Sequence, residues 1–113
     1  MDPSCLKHTL TEDERTTFQD QGFLELGKVL TDGQVNRLTD ALDRVDLRER
    51  KISNMGPTEA LHTRDFLGRD EAFLDLIAFE RTIPKVWGIL GWNIHIYLTH
   101  LNVTPPEPPG SER

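Results

Sequence analysis

Two of the chain's four histidines, His95 and His100, lie in the stretch GWNIHIYLTHLNVTPP at residues 91–106. Histidine is the commonest metal ligand among side chains, so this pair raises the question of a metal site. Apolar residues alternate through residues 93–103, and this pattern predicts a long strand. Because successive side chains along a strand point to opposite faces, residues five apart cannot bind one ion together. We therefore expect no metal site from these two histidines.

The other residues with suitable chemistry are His62, Asp65 and Cys5. An iron site of the two-His, one-carboxylate type needs three converging ligands, and neither His-x-Asp nor His-x-Glu occurs in the sequence. His62 and Asp65 come nearest to such a pair, but a loop histidine is the favoured interpretation. Cys5 has no cysteine partner. A Gly-rich phosphate loop and a Gly-x-Ser-x-Gly elbow are also absent, so the sequence predicts no catalytic residue and no metal ligand.

The composition describes one modest globular domain. The chain has 113 residues, with 13 basic and 19 acidic side chains and a net charge of −6. Such a negative balance argues against nucleic acid and anionic membranes as partners. The N-terminus has no apolar signal region and no stretch approaches the length of a membrane span. A cytoplasmic location is the resulting prediction.

Capping patterns predict two helices in the first half of the chain. Thr11 and Glu14 have the spacing of a capping box, and Gly22 is suited to end that helix. Residues Phe23 to Leu26 are predicted as a short strand. Thr31 and Gln34 repeat the capping-box spacing before a second helix, whose apolar stripe is formed by Val35, Leu38, Leu42 and Val45.

The second half is predicted as a loop, two helices and the long strand. Residues 48–68 lack periodicity and are expected to form a long loop, or a loop with a short helical turn. The basic run at 48–51 is interpreted as a solvated helix end, with an anion contact as the alternative. Asp70 is the expected cap of a third helix, in which Phe73, Leu74 and Ile77 would be buried. Pro84 begins a fourth helix and Gly91 closes it; its predicted buried face consists of Ile83, Val86, Trp87 and Leu90.

The long strand is apolar on both faces. Ile94, Ile96 and Leu98 share one side, and Leu101 and Val103 lie on the other. A strand of this kind belongs inside a sandwich or barrel, where both faces are covered. The rest of the chain offers one further predicted strand, so we expect that the covering strands are not part of these 113 residues.

Three stretches together resemble the N-terminal part of the phytanoyl-CoA dioxygenase family of iron(II)/2-oxoglutarate oxygenases. They are GFLELGKVLTDGQVNRL, RDFLGRDEAFLDLI and GWNIHIYLTHLNVTPP. In that family a Gly-Phe strand leads to an amphipathic helix, and two later helices end in a Gly-x-Asn-Ile turn before a strand marked by Pro-Pro. The order and spacing match from about Thr11 to Pro106.

The resemblance implies an α+β chain that carries N-terminal helices and the first strands of a double-stranded β-helix, or jelly roll, with the barrel incomplete. In family members the His-x-Asp pair, the distal His and the Arg for 2-oxoglutarate all follow the Pro-Pro signal, beyond residue 113. The chain would then be an N-terminal fragment or truncated relative of an enzyme that hydroxylates a small-molecule or acyl substrate. Its predicted divisions are a flexible leader (1–10), the family-like part (11–106) and a Pro-rich tail (107–113).

The resemblance also carries two positions over to this chain as co-substrate contacts, His62 and His100. The alternative for both is a structural one, a loop histidine and a sheet-wall histidine. Fe(II) and 2-oxoglutarate are expected in the complete domain, and neither is expected to be bound by this chain alone. A different class of function is also open: a small non-catalytic binding or regulatory module that pairs its exposed strand edge with another chain. A third interpretation is a truncation that has no independent existence.

Overall fold

The computed structural model describes residues 3–107 and 109–110, so most of the predicted tail lies outside the described residues. The structure is α+β, with helices and one two-stranded antiparallel sheet in the described part. It divides into two compact units. The first unit contains residues 3–35 and 75–96, and the second contains residues 36–74 together with the chain from residue 97 onwards.

Helices account for most of the regular structure. The strands are β1 (Leu61–Arg64) and β2 (His100–Val103), and 3₁₀ helices cover Pro3–His8 and Phe66–Arg69. The α-helices are α1 (Glu12–Gln21), α2 (Asp32–Ile52), α3 (Glu71–Leu74) and α4 (Ile83–Leu90). In the part of the chain that is described, no helix combines the length and apolarity needed to cross a bilayer.

The predicted limits of α1 are confirmed. The backbone N–H of Glu14 donates to Thr11 Oγ1 at 3.1 Å, and the backbone N–H of Thr11 donates to Glu14 Oε1 at 3.1 Å, which completes the capping box. Gly22 closes the helix with φ of +80°, and its N–H donates to the carbonyl of Phe18. A residue with a Cβ would be strained in this left-handed conformation, so glycine is suited to the position.

The strand predicted over Phe23–Leu26 is wrong. Residues 23–29 form neither helix nor strand, and Gly27 has φ of +69°, which interrupts an extended conformation. A strand also needs a hydrogen-bonded neighbour. Within the described residues the single ladder joins β1 to β2, so residues 23–26 have no strand to pair with.

A partly buried ion pair ties α1 to α4 in the first unit. Lys85 Nζ lies 2.6 Å from Glu14 Oε1 and also donates to the carbonyl of Thr9 at 3.0 Å. Arg15 Nη2 donates to the carbonyl of Gly88 at 3.0 Å. The hydrogen bond from Lys85 is the largest influence on the pKa of Glu14 and holds it below its ordinary value of 4.5, against the raising effect of burial.

The replacement Glu14→Gln should lower the stability of the first unit and change its dependence on pH. A lowered folded-state pKa contributes stability above the ordinary value and loses it as the pH falls through the folded value. At neutral pH we expect a loss on the order of 1–2 kcal/mol in the free energy of unfolding, and a shallower decline on acidification. Denaturant titrations at several pH values can follow fluorescence, because both tryptophans, Trp87 and Trp92, lie in this unit.

The control for this prediction is Glu12→Gln. It removes an acidic side chain from the same helical turn, and the described residues include no ion pair for it. An equal loss of stability in the two variants, or an unchanged acid dependence in Glu14→Gln, would contradict the role given to the ion pair.

Gly88 allows the N-terminal segment to approach α4 closely. A Cβ built at Gly88 would lie 2.6 Å from the Cβ of Leu10 and 3.2 Å from its Cδ2. Real Cβ contacts essentially never come so close, so the two chain segments must separate if a side chain is added. The close approach explains a glycine in the interior of a helix, where it otherwise costs about 1 kcal/mol relative to alanine.

The replacement Gly88→Ala is therefore expected to destabilise the first unit by about 1–3 kcal/mol, despite the better helix propensity of alanine. Thermal unfolding followed by tryptophan fluorescence measures the change. Gly33→Ala in α2 is the matched control, since nothing lies within 4 Å of the added Cβ there. A Gly88→Ala protein as stable as the original would show that Leu10 yields without cost.

The predicted burial in α4 needs correction. In α4, Pro84 and Trp87 are buried, whereas Leu90 is 68% exposed and Val86 is exposed as well; eight residues make about two turns, so only one side is covered. Trp87 stacks on Trp92, with ring centroids 4.3 Å apart.

The segment predicted as a leader contains the 3₁₀ helix Pro3–His8, whose Cys5 is buried.

Helix α2 begins within the first unit, and its residues from 36 onwards belong to the second unit, which also contains α3. The capping box of Thr31 and Gln34 is confirmed, with bonds of 2.8 and 3.2 Å. The loop predicted over 48–68 is wrong in two places, because α2 continues to Ile52 and β1 occupies Leu61–Arg64. The buried core cluster consists of Ala41, Val45, Ala72 and Phe73.

Asp70 caps α3 as predicted, through a bond of 3.0 Å from the N–H of Ala72 to Asp70 Oδ1. The helix is shorter than expected and ends at Leu74. Phe73 is buried, but Leu74 is 46% exposed and Ile77 is exposed too. The predicted burial of these two residues is wrong. A single helical turn covers only one face, which leaves Leu74 exposed, and Ile77 lies beyond the end of the helix.

The long strand over residues 93–103 is also shorter than predicted. Only His100–Val103 form a strand, and β2 pairs with β1 in antiparallel orientation. Residues 93–99 form no strand, and their apolar side chains at 96 to 98 are exposed, with Tyr97 at 87%. The ladder is limited by the four-residue length of β1, which leaves these preceding residues without a strand partner.

Candidate functional site

The two histidines singled out by the family resemblance lie on one face of the β1–β2 ladder. In the observed register His62 is opposite Asn102, and Arg64 is opposite His100. Side chains alternate along each strand, so these four residues share one face. All four are exposed, whereas Leu61 and Thr63 on the other face are buried. We call His62, Arg64, His100 and Asn102 the ladder face.

The hydrogen-bond pattern brings the side chains of the ladder face close together. The N–H of Asp65 donates to the carbonyl of Thr99 at 2.8 Å, one step beyond Arg64 and His100. Hydrogen-bonded and non-hydrogen-bonded pairs alternate in antiparallel ladders. Both pairs of the ladder face are therefore of the non-hydrogen-bonded kind, in which opposing side chains are closest.

One hydrogen bond within the ladder face fixes the proton of an imidazole. His62 Nδ1 lies 2.7 Å from Asn102 Oδ1. Since an amide oxygen only accepts, the proton of this bond is on Nδ1. His62 Nε2 is then the ring nitrogen left for a ligand. Arg64 makes no ion pair with any described residue, so its guanidinium keeps its donors for a ligand too.

A shallow cleft of about 300 Å³ lies on the ladder face. Its lining includes all four residues of the face, together with Thr63. The guanidinium of Arg64, the imidazole of His100 and the amide nitrogen of Asn102 can supply hydrogen-bond donors, and none of these groups is an anion. His62 Nε2, with the ring proton on Nδ1, can accept a hydrogen bond instead. Carboxylates and phosphates are the ligands that arginine binds best, through paired hydrogen bonds. The chemistry of the cleft therefore suits a small anion.

The backbone before and after β1 is held by specific contacts. Arg50 in α2 donates to the carbonyls of Gly56 and Glu59, at 2.6 and 2.7 Å, and so fixes the loop that leads into the strand. After the strand, Asp65 adopts a left-handed conformation with φ of +54°. Aspartate tolerates this region better than most residues, and the turn directs the chain into the 3₁₀ helix Phe66–Arg69.

Sequence reasoning missed Arg64 and Asn102. Each lies two residues after one of the histidines that the resemblance selected, and a period of two places it on the same face of the strand. The signal was the alternation of Leu61, His62, Thr63 and Arg64, which was interpreted as part of a loop. The roles of His62 and His100 as co-substrate contacts stay predictions.

The other residues considered for metal binding are not brought together. His95 lies in the non-strand stretch before β2 and is exposed. Across the described residues, no group of three or more His, Cys, Asp or Glu side chains is arranged to hold a metal ion.

Comparisons with known proteins returned no relative. No family model matches the chain, no curated protein matches it, and no solved structure matches it. Membership of the phytanoyl-CoA dioxygenase family therefore stays a prediction from the sequence.

Proposed function

We propose that this chain is the N-terminal portion of a phytanoyl-CoA dioxygenase-like oxygenase, in which the ladder face contacts 2-oxoglutarate. The observation that carries the proposal is the convergence of His62 and His100. The family pattern selected these residues from parts of the sequence that lie 38 positions apart. In the structure both residues line one cleft.

The groups on the ladder face fit a dicarboxylate. Arg64 offers a bidentate donor to one carboxylate, and the imidazole of His100 and the amide nitrogen of Asn102 offer single donors. His62 orients the amide of Asn102 through its Nδ1–H. The described residues offer no comparable grouping for iron. In the proposed whole domain, iron and the remaining 2-oxoglutarate ligands belong to a part of the protein beyond these residues, and the chain's own residues bind and orient the co-substrate.

The exposed apolar stretch before β2 supports the proposed jelly roll. Ile96, Tyr97 and Leu98 are all more than half exposed, although side chains of this kind are usually covered. In a double-stranded β-helix further strands would extend the two-stranded ladder and cover this stretch. Hydroxylation of a small-molecule or acyl substrate would be the activity of that whole domain, in the cytoplasm.

The coding sequence after Arg113 tests this proposal. We expect a continuation, in some reading frame, that encodes a His-x-Asp or His-x-Glu segment, a distal histidine and an arginine. A genomic sequence with no such segment in any frame would contradict the proposal.

A second candidate function rests on the same exposed stretch. Residues 96–98 present apolar side chains and belong to no strand, so they suit a binding module that pairs its strand edge with another chain. Sedimentation of the purified chain distinguishes the two. A module of this kind is expected to associate as the concentration is raised, whereas a monomer with one cooperative melting transition at all concentrations would count against it.

A further inference from the structure

Two adjoining clefts lie in the first unit, and no residue of the ladder face lines them. One has a volume of about 230 Å³, and its polar lining consists of His8 together with the charged side chains of Glu14, Glu25, Arg81 and Lys85. The other has a volume of about 200 Å³, and its apolar lining includes Phe18, Leu24, Val86 and Ile89. Leu26 and Lys85 line both, so a polar compartment opens beside an apolar one.

The charges of Lys85 and Glu14 are used within the protein. Lys85 Nζ contacts Glu14 Oε1 at 2.6 Å and the carbonyl of Thr9 at 3.0 Å. Glu14 Oε1 also accepts the N–H of Thr11. The charges of this ion pair offset each other and leave little net charge for a ligand.

The side chains of Arg81 and Glu25, unlike those of Lys85 and Glu14, do not pair within the described part of the protein. Neither makes an ion pair or a hydrogen bond through its side chain with any described residue. Arg81 is half-buried and Glu25 is exposed. A partly buried guanidinium without a partner favours an anion, and a carboxylate in the same cleft favours a cation. The polar compartment therefore offers one complementary group of each sign.

We propose that the two clefts together bind a free α-amino acid with a large apolar side chain. Its carboxylate would contact Arg81, its ammonium group would contact Glu25, and its side chain would occupy the apolar compartment beside Val86 and Ile89. A simple fatty carboxylate would leave Glu25 facing another anion, and an apolar amine would leave Arg81 without a partner. A zwitterion satisfies both groups, and this binding site is independent of the ladder face.

The test is a nuclear magnetic resonance titration of the whole chain with L-phenylalanine. We expect saturable shifts of the methyl signals of Leu24, Val86 and Ile89. Hydrocinnamate lacks the amine, phenethylamine lacks the carboxylate and glycine lacks the apolar side chain. Each of these is expected to bind at least about tenfold more weakly than phenylalanine. Binding of hydrocinnamate as tight as that of phenylalanine, or the absence of saturable shifts with phenylalanine, would overturn the proposal.

Two charge-neutralising variants assign the contacts. Arg81→Gln and Glu25→Gln are each expected to weaken phenylalanine binding by about tenfold. Lys28→Gln and Asp20→Asn remove charges of the same signs in the same unit and line neither cleft, so they should bind as the original does. Unchanged binding in Arg81→Gln or Glu25→Gln, with the fluorescence of Trp87 and Trp92 showing a folded unit, would contradict the assignment.

Discussion

Replacement of Phe73 by alanine is expected to lower the free energy of unfolding of the second unit by about 3–5 kcal/mol. Phe73 is 4% exposed and belongs to the buried cluster with Ala41, Val45 and Ala72. Its ring also packs edge-on against Phe66, with centroids 5.1 Å apart. A small unit has few such side chains, and alanine would leave a cavity in the core. Hydrogen exchange of the α2 amides measures the loss.

Leu74→Ala provides the matched control in the same helix. Leu74 is 46% exposed, so truncation removes fewer buried contacts, and we expect a loss of less than about 1 kcal/mol. A similar loss in the two variants would mean that the core is not centred on Phe73. Phe73→Leu should fall between the two, because leucine fills part of the cavity.

The second large effect is expected at Arg50, which joins α2 to the loop before β1. Its Nε donates to Asp46 Oδ1 at 2.8 Å, and its Nη1 donates to the carbonyls of Gly56 and Glu59. The side chain is only 11% exposed. Arg50→Ala removes all three bonds and leaves a partly buried carboxylate and two carbonyls to find new partners. We expect a loss of about 2–4 kcal/mol.

The measurement for Arg50→Ala should also report on the ladder. Amides of β1 are expected to exchange faster with solvent, because the loop that holds the strand is released. Arg48→Ala removes an arginine two residues away that is 51% exposed and has only a 3.7 Å contact with Glu49. We expect a change below about 0.5 kcal/mol there. Protected β1 amides in Arg50→Ala would show that the loop does not depend on this side chain.

Local patterns predicted both ends of α1 and the beginning of α2. The capping boxes at Thr11 and Thr31 depend on residues three positions apart, and Gly22 supplies the left-handed conformation that ends α1. Such features are complete within a few residues of sequence. The burial of Leu74 was predicted wrongly because it depends on more than the local sequence. A helical pattern indicates a stripe, but it does not show where the helix ends or which neighbours cover it.

Strand pairing was the feature that the sequence did not reveal. β1 has four residues and its exposed positions, His62 and Arg64, resemble a polar loop. The register that sets His62 opposite Asn102 depends on two segments 40 positions apart. The sequence therefore identified two members of the ladder face through a family pattern, and the pairing of the strands supplied Arg64 and Asn102.

The most direct test of the ladder face is a nuclear magnetic resonance titration of the chain with 2-oxoglutarate. The sequence predicts no co-substrate retained by this chain alone, so the contact should be weak and in fast exchange. We expect shifts concentrated on His62, Arg64, His100 and Asn102. Arg64→Gln should weaken the contact by at least about tenfold, and Lys51→Gln, an equal charge change outside the cleft, by less than about twofold. Shifts spread over other surfaces, or unaffected by Arg64→Gln, would contradict the account.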